Sequence, residues 1–185
     1  MSDDAQPQQK YQVRFDWGLA GFQALAAQAD VVILADALPP ADAAHGYLTP
    51  LAPHQVIAAG LNNRTAVAEW VLARQTEKAD RFAVAVIAVG ERRPDGTSRS
   101  AVEDLLAAGA VIDALSTLGI DHCSPEAAAA SAAFVGLQRA LRHLTGASET
   151  GQALATAGRQ DEVAAAGRLD DSTTVVALGE FTFPA

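Results

Sequence analysis

Apolar residues in this chain fall into two kinds of run, and their alternation predicts an α/β fold. Residues 31–35 (VVILA), 55–59 (QVIAA) and 82–90 (FAVAVIAVG) are short, nearly unbroken apolar stretches. Runs of that length and composition read as strands buried on both faces, as in a parallel sheet. Residues 11–16 (YQVRFD) alternate polar and apolar and read as a first strand, with Trp17 and Gly18 turning the chain. Between these runs the apolar positions recur at helical spacing. Helices are expected over 19–27, over 65–74 with Val67, Trp70 and Val71 inward, and over 102–118 with Val102, Leu105, Leu106, Ile112 and Leu115 inward. A long helix over 124–144 carries Phe134, Leu137, Leu141 and Leu144 on one face. Two short helices follow at 148–157 and 160–166, then a strand at 173–178 and a small ribbon at 181–183. Strands alternating with helices imply a three-layer α/β arrangement around a mostly parallel sheet.

Punctuation residues refine this picture. Pro39, Pro40, Pro50 and Pro53 with Gly46 make residues 37–53 a loop. Asn63 is placed to cap the helix that follows it, and Ser124-Pro125 is a helix start with proline at the first helical position. Ser100-Ala101-Val102-Glu103 has the S-x-x-E spacing of a capping box. Gly119 and Gly146 are helix stops. Gly109 lies on the inner stripe of its helix and would let a neighbour pack close.

Composition narrows the class. A chain of 185 residues suits one domain, here 10–185, preceded by a polar, disordered lead-in at 1–9. With 50% apolar but only 5% aromatic residues, the core must be built from Ala, Val, Leu and Ile. The net charge of -9 argues against a nucleic-acid partner. No apolar run approaches the roughly 20 residues of a membrane span, and the start of the chain lacks an apolar signal region. A cytoplasmic location without membrane association is the expectation. The single cysteine, Cys123, excludes an internal disulfide, and beside His122 it reads as a small residue near a helix start rather than a nucleophile.

Candidate chemistry concentrates beyond the carboxyl ends of the strands, where open α/β sheets bind ligands. Asp36 ends the second strand and is either a turn-former or a ligand. Residues 91–98 join the 82–90 strand to the 102–118 helix and are almost wholly polar. Glu91 is either a solvated acid paired with Arg92 or Arg93, or a ligand; the two arginines could instead grip a phosphate. Glu103 and Asp104 open the helix, where acids complement the dipole, and Glu103 can serve the capping box or a cation. Asp36, Glu91, Glu103 and Asp104 are the residue types that magnesium takes. Asp95-Gly96 reads as a turn, and Gly96-Thr97-Ser98 could cradle an anion with backbone amides. His45, His54, His122 and His143 lack metal-ligand spacing, and no serine sits in a G-x-S-x-G context.

Five collinear blocks resemble the 2-phosphosulfolactate phosphatase family: VRFDWGLAG (13–21), ADVVILAD (29–36), GLNNRTAVAEWV (60–71), AVGERRPDGTSRSAVEDLLAAGAVIDAL (88–115) and SPEAAAASAAF (124–134). The tail at 148–178 is similar to that family's ending as well. The resemblance implies a magnesium-dependent phosphatase that converts the small phosphorylated acid 2-phosphosulfolactate to sulfolactate and phosphate. By position it implies Asp36, Glu91 and Asp104 as catalytic acids, Asp36, Glu91 and Glu103 as Mg2+ ligands, and Asn63 as a substrate-binding residue, to which the reading of the linker adds Arg92 and Arg93. The chain departs from the family pattern after Asp36. Ala37-Leu38-Pro39-Pro40 stands where a hydroxyl-rich run is expected, and nothing in 41–59 matches the family's asparagine-glycine loop. Such loops hold phosphate. The alternative is therefore a non-catalytic member that binds a small molecule or a partner. Apolar sheet and helix edges make a homodimer the expected assembly.

Overall fold

A computed structural model describes residues 7–38, 46–50, 55–93, 95 and 97–184. Its centre is a five-stranded sheet built from β1 (Val13–Trp17), β2 (Val31–Ala35), β4 (Gln55–Ala59), β5 (Val84–Ala88) and β8 (Val176–Leu178), in the order β1-β5-β2-β4-β8. The first four strands of that order are parallel, and β8 runs antiparallel on β4. The third strand in chain order, β3 (Gly46–Pro50), lies outside this sheet and pairs antiparallel with β9 (Glu180–Pro184).

Alternation along the strands divides the core into two layers. Val31, Ile33, Val84, Val86 and Ala88 face one side. There they meet α2 (Arg64–Lys78), α3 (Val102–Thr117) and α4 (Pro125–Leu137). Val32, Leu34, Val56, Ala85 and Ile87 face the other side, against Phe22 and Leu25 of α1 (Gly18–Leu25) and Phe183 of β9. The Phe22 and Phe183 rings lie 5.4 Å apart. This is the three-layer α/β arrangement around a mostly parallel sheet. Every residue of β2 and β5 is buried, which is why both read as unbroken apolar runs.

The Ala-rich composition is used where helices cross. A Cβ added at Gly109 of α3 would stand 2.1 Å from the carbonyl oxygen of Ala130 in α4, so the two backbones nearly touch. Ser124 caps α4 as expected: its Oγ accepts the Ala127 amide at 3.1 Å, with Pro125 at the first helical position.

Several expectations are corrected. The helix expected over 124–144 breaks: α4 ends at Leu137, a 3-10 turn spans Gln138–Ala140, and α5 (Leu141–Ala147) begins anew. The apolar spacing survives that turn, so the sequence pattern alone did not reveal it. Part of the expected 37–53 loop is strand, since Gly46–Pro50 finds β9 as a partner 130 or more residues away; residues 39–45 and 51–54 lie outside the described residues. The 91–98 linker is not wholly loop. β6 (Glu91–Arg92) and β7 (Ser98–Arg99) form a short antiparallel ribbon that holds the Asp95 turn; Gly96 lies outside the described residues. The capping box at Ser100 does not form, because α3 is capped at Ala101 with no side-chain bond. At the start of the chain, the Gln8 side chain donates to the Phe15 carbonyl at 2.9 Å and accepts the Phe15 amide at 3.0 Å.

Two more helices complete the chain. Ser148 caps α6 (Glu149–Thr156) by accepting the Gly151 amide at 3.1 Å, and α7 (Gln160–Ala166) follows. Among the described residues, no helix is long and apolar enough to cross a membrane.

Candidate active site

The carboxyl ends of β2, β4 and β5 open on the same edge of the sheet. Asp36 follows β2 directly, Gly60 follows β4, and Gly90 and Glu91 follow β5. The N-terminus of α3 is fastened to this edge by one side chain. Asp104 accepts the Ala37 amide at 2.9 Å through Oδ1 and the Gly90 amide at 2.8 Å through Oδ2. Both strand exits are thereby tied to the first turn of α3. Gly90 has φ +73°, and a Cβ there would lie 2.9 Å from the Arg99 carbonyl oxygen, so glycine is required for this approach. Asp104 is 2% exposed. Burial and the nearby Asp36 push its carboxyl well above the usual range, against the pull of the two amides.

Asp36 is pushed up to about 7, first by burial and then by the charges of Glu91 and Glu103. Burial also raises Glu91, although the Arg92 amide and the Arg99 guanidinium draw it down. The expected acids therefore sense one another: Asp36, Glu91, Glu103 and Asp104 form a mutually repelling group at the strand ends. Among the described residues, no three His, Cys, Asp or Glu side chains already converge as metal ligands.

Glu103 is the anomaly in this group. It is 1% exposed, and neither Oε1 nor Oε2 has a hydrogen-bond partner. The capping-box amide that would have satisfied it is not engaged. A buried polar atom left unpartnered costs on the order of 1–3 kcal/mol, and more if charged. Its nearest cation is Arg99 of β7, whose Nη2 lies 3.6 Å from Oε1. That nitrogen instead donates to Thr150 Oγ1 of α6 at 2.7 Å, while Arg99 Nε lies 3.4 Å from Glu149 Oε2.

Sequence reading missed Arg99 and Thr150. The i,i+4 spacing of Arg99 and Glu103 was available as a signal. Nothing local points to Thr150, which lies 51 residues from its partner Arg99. The expected phosphate holders, Arg92 and Arg93, are both exposed on the ribbon, and Arg93 Nη1 donates to the Ser98 carbonyl at 2.9 Å. Asn63 precedes α2 but makes no capping bond. Its Oδ1 accepts the Gly60 amide at 2.9 Å and its Nδ2 donates to the Thr174 carbonyl at 3.0 Å, so it locks the β4 exit to the approach to β8. Burial raises the Cys123 thiol, which agrees with its reading as a packing residue.

Asp36 alone of the four acids lines a cavity of about 370 Å³, whose walls are also formed by Gly60, Asn62 and Asn63 at the strand ends and by Glu162 and Ala166 of α7. A space of this size suits a small organic acid or ester.

The model of the 2-phosphosulpholactate phosphatase family matches residues 48–180, more than two thirds of the chain. The protein belongs to this family. The matched span of the 2-phosphosulpholactate phosphatase model contains Asn63, Glu91, Arg99, Glu103, Asp104 and Thr150, while β1, β2 and Asp36 precede it. No curated protein matches the chain. Membership assigns the chain to a family named for a phosphatase, on the three-layer scaffold described above.

Proposed function

We propose that this protein is a magnesium-dependent phosphatase acting on a small phosphorylated acid, hydrolysing 2-phosphosulfolactate to sulfolactate and phosphate. The observation that carries the reading is Glu103: a carboxyl group shut away from water, with neither oxygen hydrogen-bonded, beside Asp36 and Glu91. A hard divalent cation takes such oxygens and relieves repulsion among the acids. Asp36, Glu91 and Glu103 would hold the ion, which when bound polarises phosphoryl oxygens. Asp104 contributes by fixing the exits of β2 and β5, since both its oxygens are occupied by amides. The cavity next to Asp36 receives the organic part of the ester, and Asn63 fixes the shape of its wall. Arg92 and Arg93, on an exposed ribbon at the rim, meet the incoming anion. Locating the protein in the cytoplasm is part of the same reading.

The test is phosphate release from 2-phosphosulfolactate and a panel of phosphate monoesters, with magnesium and with chelator. Magnesium-dependent release is expected, and Glu91→Gln and Glu103→Gln should each lower it more than tenfold, the scale on which metal-site residues act. A second reading, a family member that binds a small acid without turnover, is favoured by the exposure of Arg92 and Arg93, which leaves few fixed donors for a phosphoryl group. Binding of sulfolactate by the folded protein, without phosphate release from any ester, would establish that alternative.

The reading includes a homodimer. Val135 and Leu137 of α4 and Val176 of β8 are large apolar residues at 55%, 41% and 46% exposure, surface that a second copy would cover. Sedimentation at high micromolar concentration should show a dimer; a monomer alone would remove this part of the proposal.

A further inference from the structure

Arg99 and Glu103 sit four residues apart in sequence, both almost fully buried, and yet they meet only as a long ion pair without a hydrogen bond. An arginine that can reach a buried carboxylate ordinarily closes to about 2.8 Å and often binds both oxygens. Here the Nη2 of Arg99 stops at 3.6 Å from Glu103 Oε1 and gives its hydrogen bond to the Thr150 hydroxyl at 2.7 Å. Thr150 is 6% exposed and belongs to the first turn of α6, whose position is fixed by the Ser148 cap. The backbone that carries this hydroxyl is thereby held in place beside Arg99. A Cβ at Gly151, the next residue, would stand 2.2 Å from the Thr145 carbonyl oxygen, so the turn is packed against α5 with no slack.

We infer that Thr150 is a positioning residue: its hydroxyl holds the Arg99 guanidinium off Glu103 and so keeps that carboxyl available to a divalent cation. The inference rests on the metal-dependent reading proposed above and adds a residue to it. Two cations compete for one carboxyl group. A guanidinium seated on both oxygens would satisfy Glu103 and close it to a metal. A guanidinium held about one ångström beyond hydrogen-bond contact neutralises part of the local negative charge and leaves the oxygens free. α6 thus acts on the acids at the strand ends through Arg99, without touching them.

The experiment is titration of the full-length protein with Mn2+, following the free ion by its electron paramagnetic resonance signal, with thermal melts to verify folding. Wild type should bind Mn2+. Thr150→Val, which keeps the shape and removes the hydroxyl, should raise the dissociation constant by about tenfold or more, the scale of outer-shell partners. Thr150→Ser should stay near wild type, and Thr150→Ala replaces the valine variant if that one fails to fold. In an Arg99→Met background, removing the hydroxyl should cause no further weakening, because the guanidinium it restrains is gone. An unchanged dissociation constant in Thr150→Val overturns the inference. Equal weakening with and without Arg99 also overturns it, since Thr150 would then act through the fold alone. A folded wild type that takes up no Mn2+ overturns the metal reading itself, which separates the two failures.

Discussion

Replacing Gly109 with alanine should lower the melting temperature by roughly 6–12 °C, the equivalent of about 3 kcal/mol in a protein of this size. The sign is opposite to the ordinary one. In a helix interior, glycine to alanine gains up to about 1 kcal/mol, because glycine loses more backbone freedom on folding. At Gly109 the added methyl would lie 2.1 Å from the Ala130 carbonyl oxygen, 2.8 Å from its carbon and 2.9 Å from the Phe134 Cβ. The first two are backbone atoms of α4, so no rotamer change relieves the clash. α4 must move away as a body, and it carries fully buried Phe134 with it. Gly136, in the same helix α4, is the internal control. A Cβ there meets nothing within 4 Å, so Gly136→Ala should be neutral or stabilising by up to about 1 kcal/mol. A Gly109→Ala protein that melts at or above the wild-type temperature would show that α3 and α4 do not cross this closely.

The metal-free protein should lose stability as the pH rises from about 4 to about 7, and Asp36→Asn should remove most of that loss. The folded-state carboxyl of Asp36 is raised from 3.8 to about 7, by burial first and then by Glu91 and Glu103. A raised acid binds its proton more tightly in the folded state than in the unfolded one. Its contribution is therefore fully present below the unfolded value and disappears as the pH climbs through the folded value. Each pH unit within that window can cost up to about 1.4 kcal/mol for one proton. The neighbouring acids share protons, and Asp36 keeps some contact with solvent, so roughly 2 kcal/mol in total is the expected scale at pH 8. At pH 8 the asparagine variant should be the more stable protein by about that amount; near pH 4 the two should be equal. Carboxyls such as Asp170 and Asp95, held below their ordinary value, act in the opposite direction, and comparison with the variant cancels them. Magnesium should return the lost stability to wild type and not to the variant. Identical pH profiles for the two proteins would mean that Asp36 is not held among repelling acids.

The strands and most helices were legible because the signals that define them are local. β2 and β4 fall on the apolar runs at 31–35 and 55–59, and α7 on its helical stretch, since a strand buried on both faces needs an unbroken run and a packed helix needs a stripe. The Ser124 cap, the proline after it and the close approach at Gly109 could be read from single residues whose chemistry allows few alternatives. The acids at the ends of β2 and β5 were legible for a similar reason: sheets of this class bind at that edge, and carboxylates there are conspicuous.

Contacts distant in sequence decided the rest. The capping box at Ser100 is well formed as a pattern but does not form, because tertiary packing places the cap of α3 at Ala101 and draws Glu103 into the interior. The strand at 46–50 depends on β9, a partner at the far end of the chain. Asn63 spends its amide on Gly60 and Thr174 rather than on a helix cap. The guanidinium of Arg99 takes its direction from Thr150, 51 residues on. By itself the sequence determined which residues could be strand, helix or ligand, because those are properties of side-chain chemistry and spacing. Only the tertiary structure decided which polar atoms were left without partners, because a hydrogen bond's availability depends on every group folded around it.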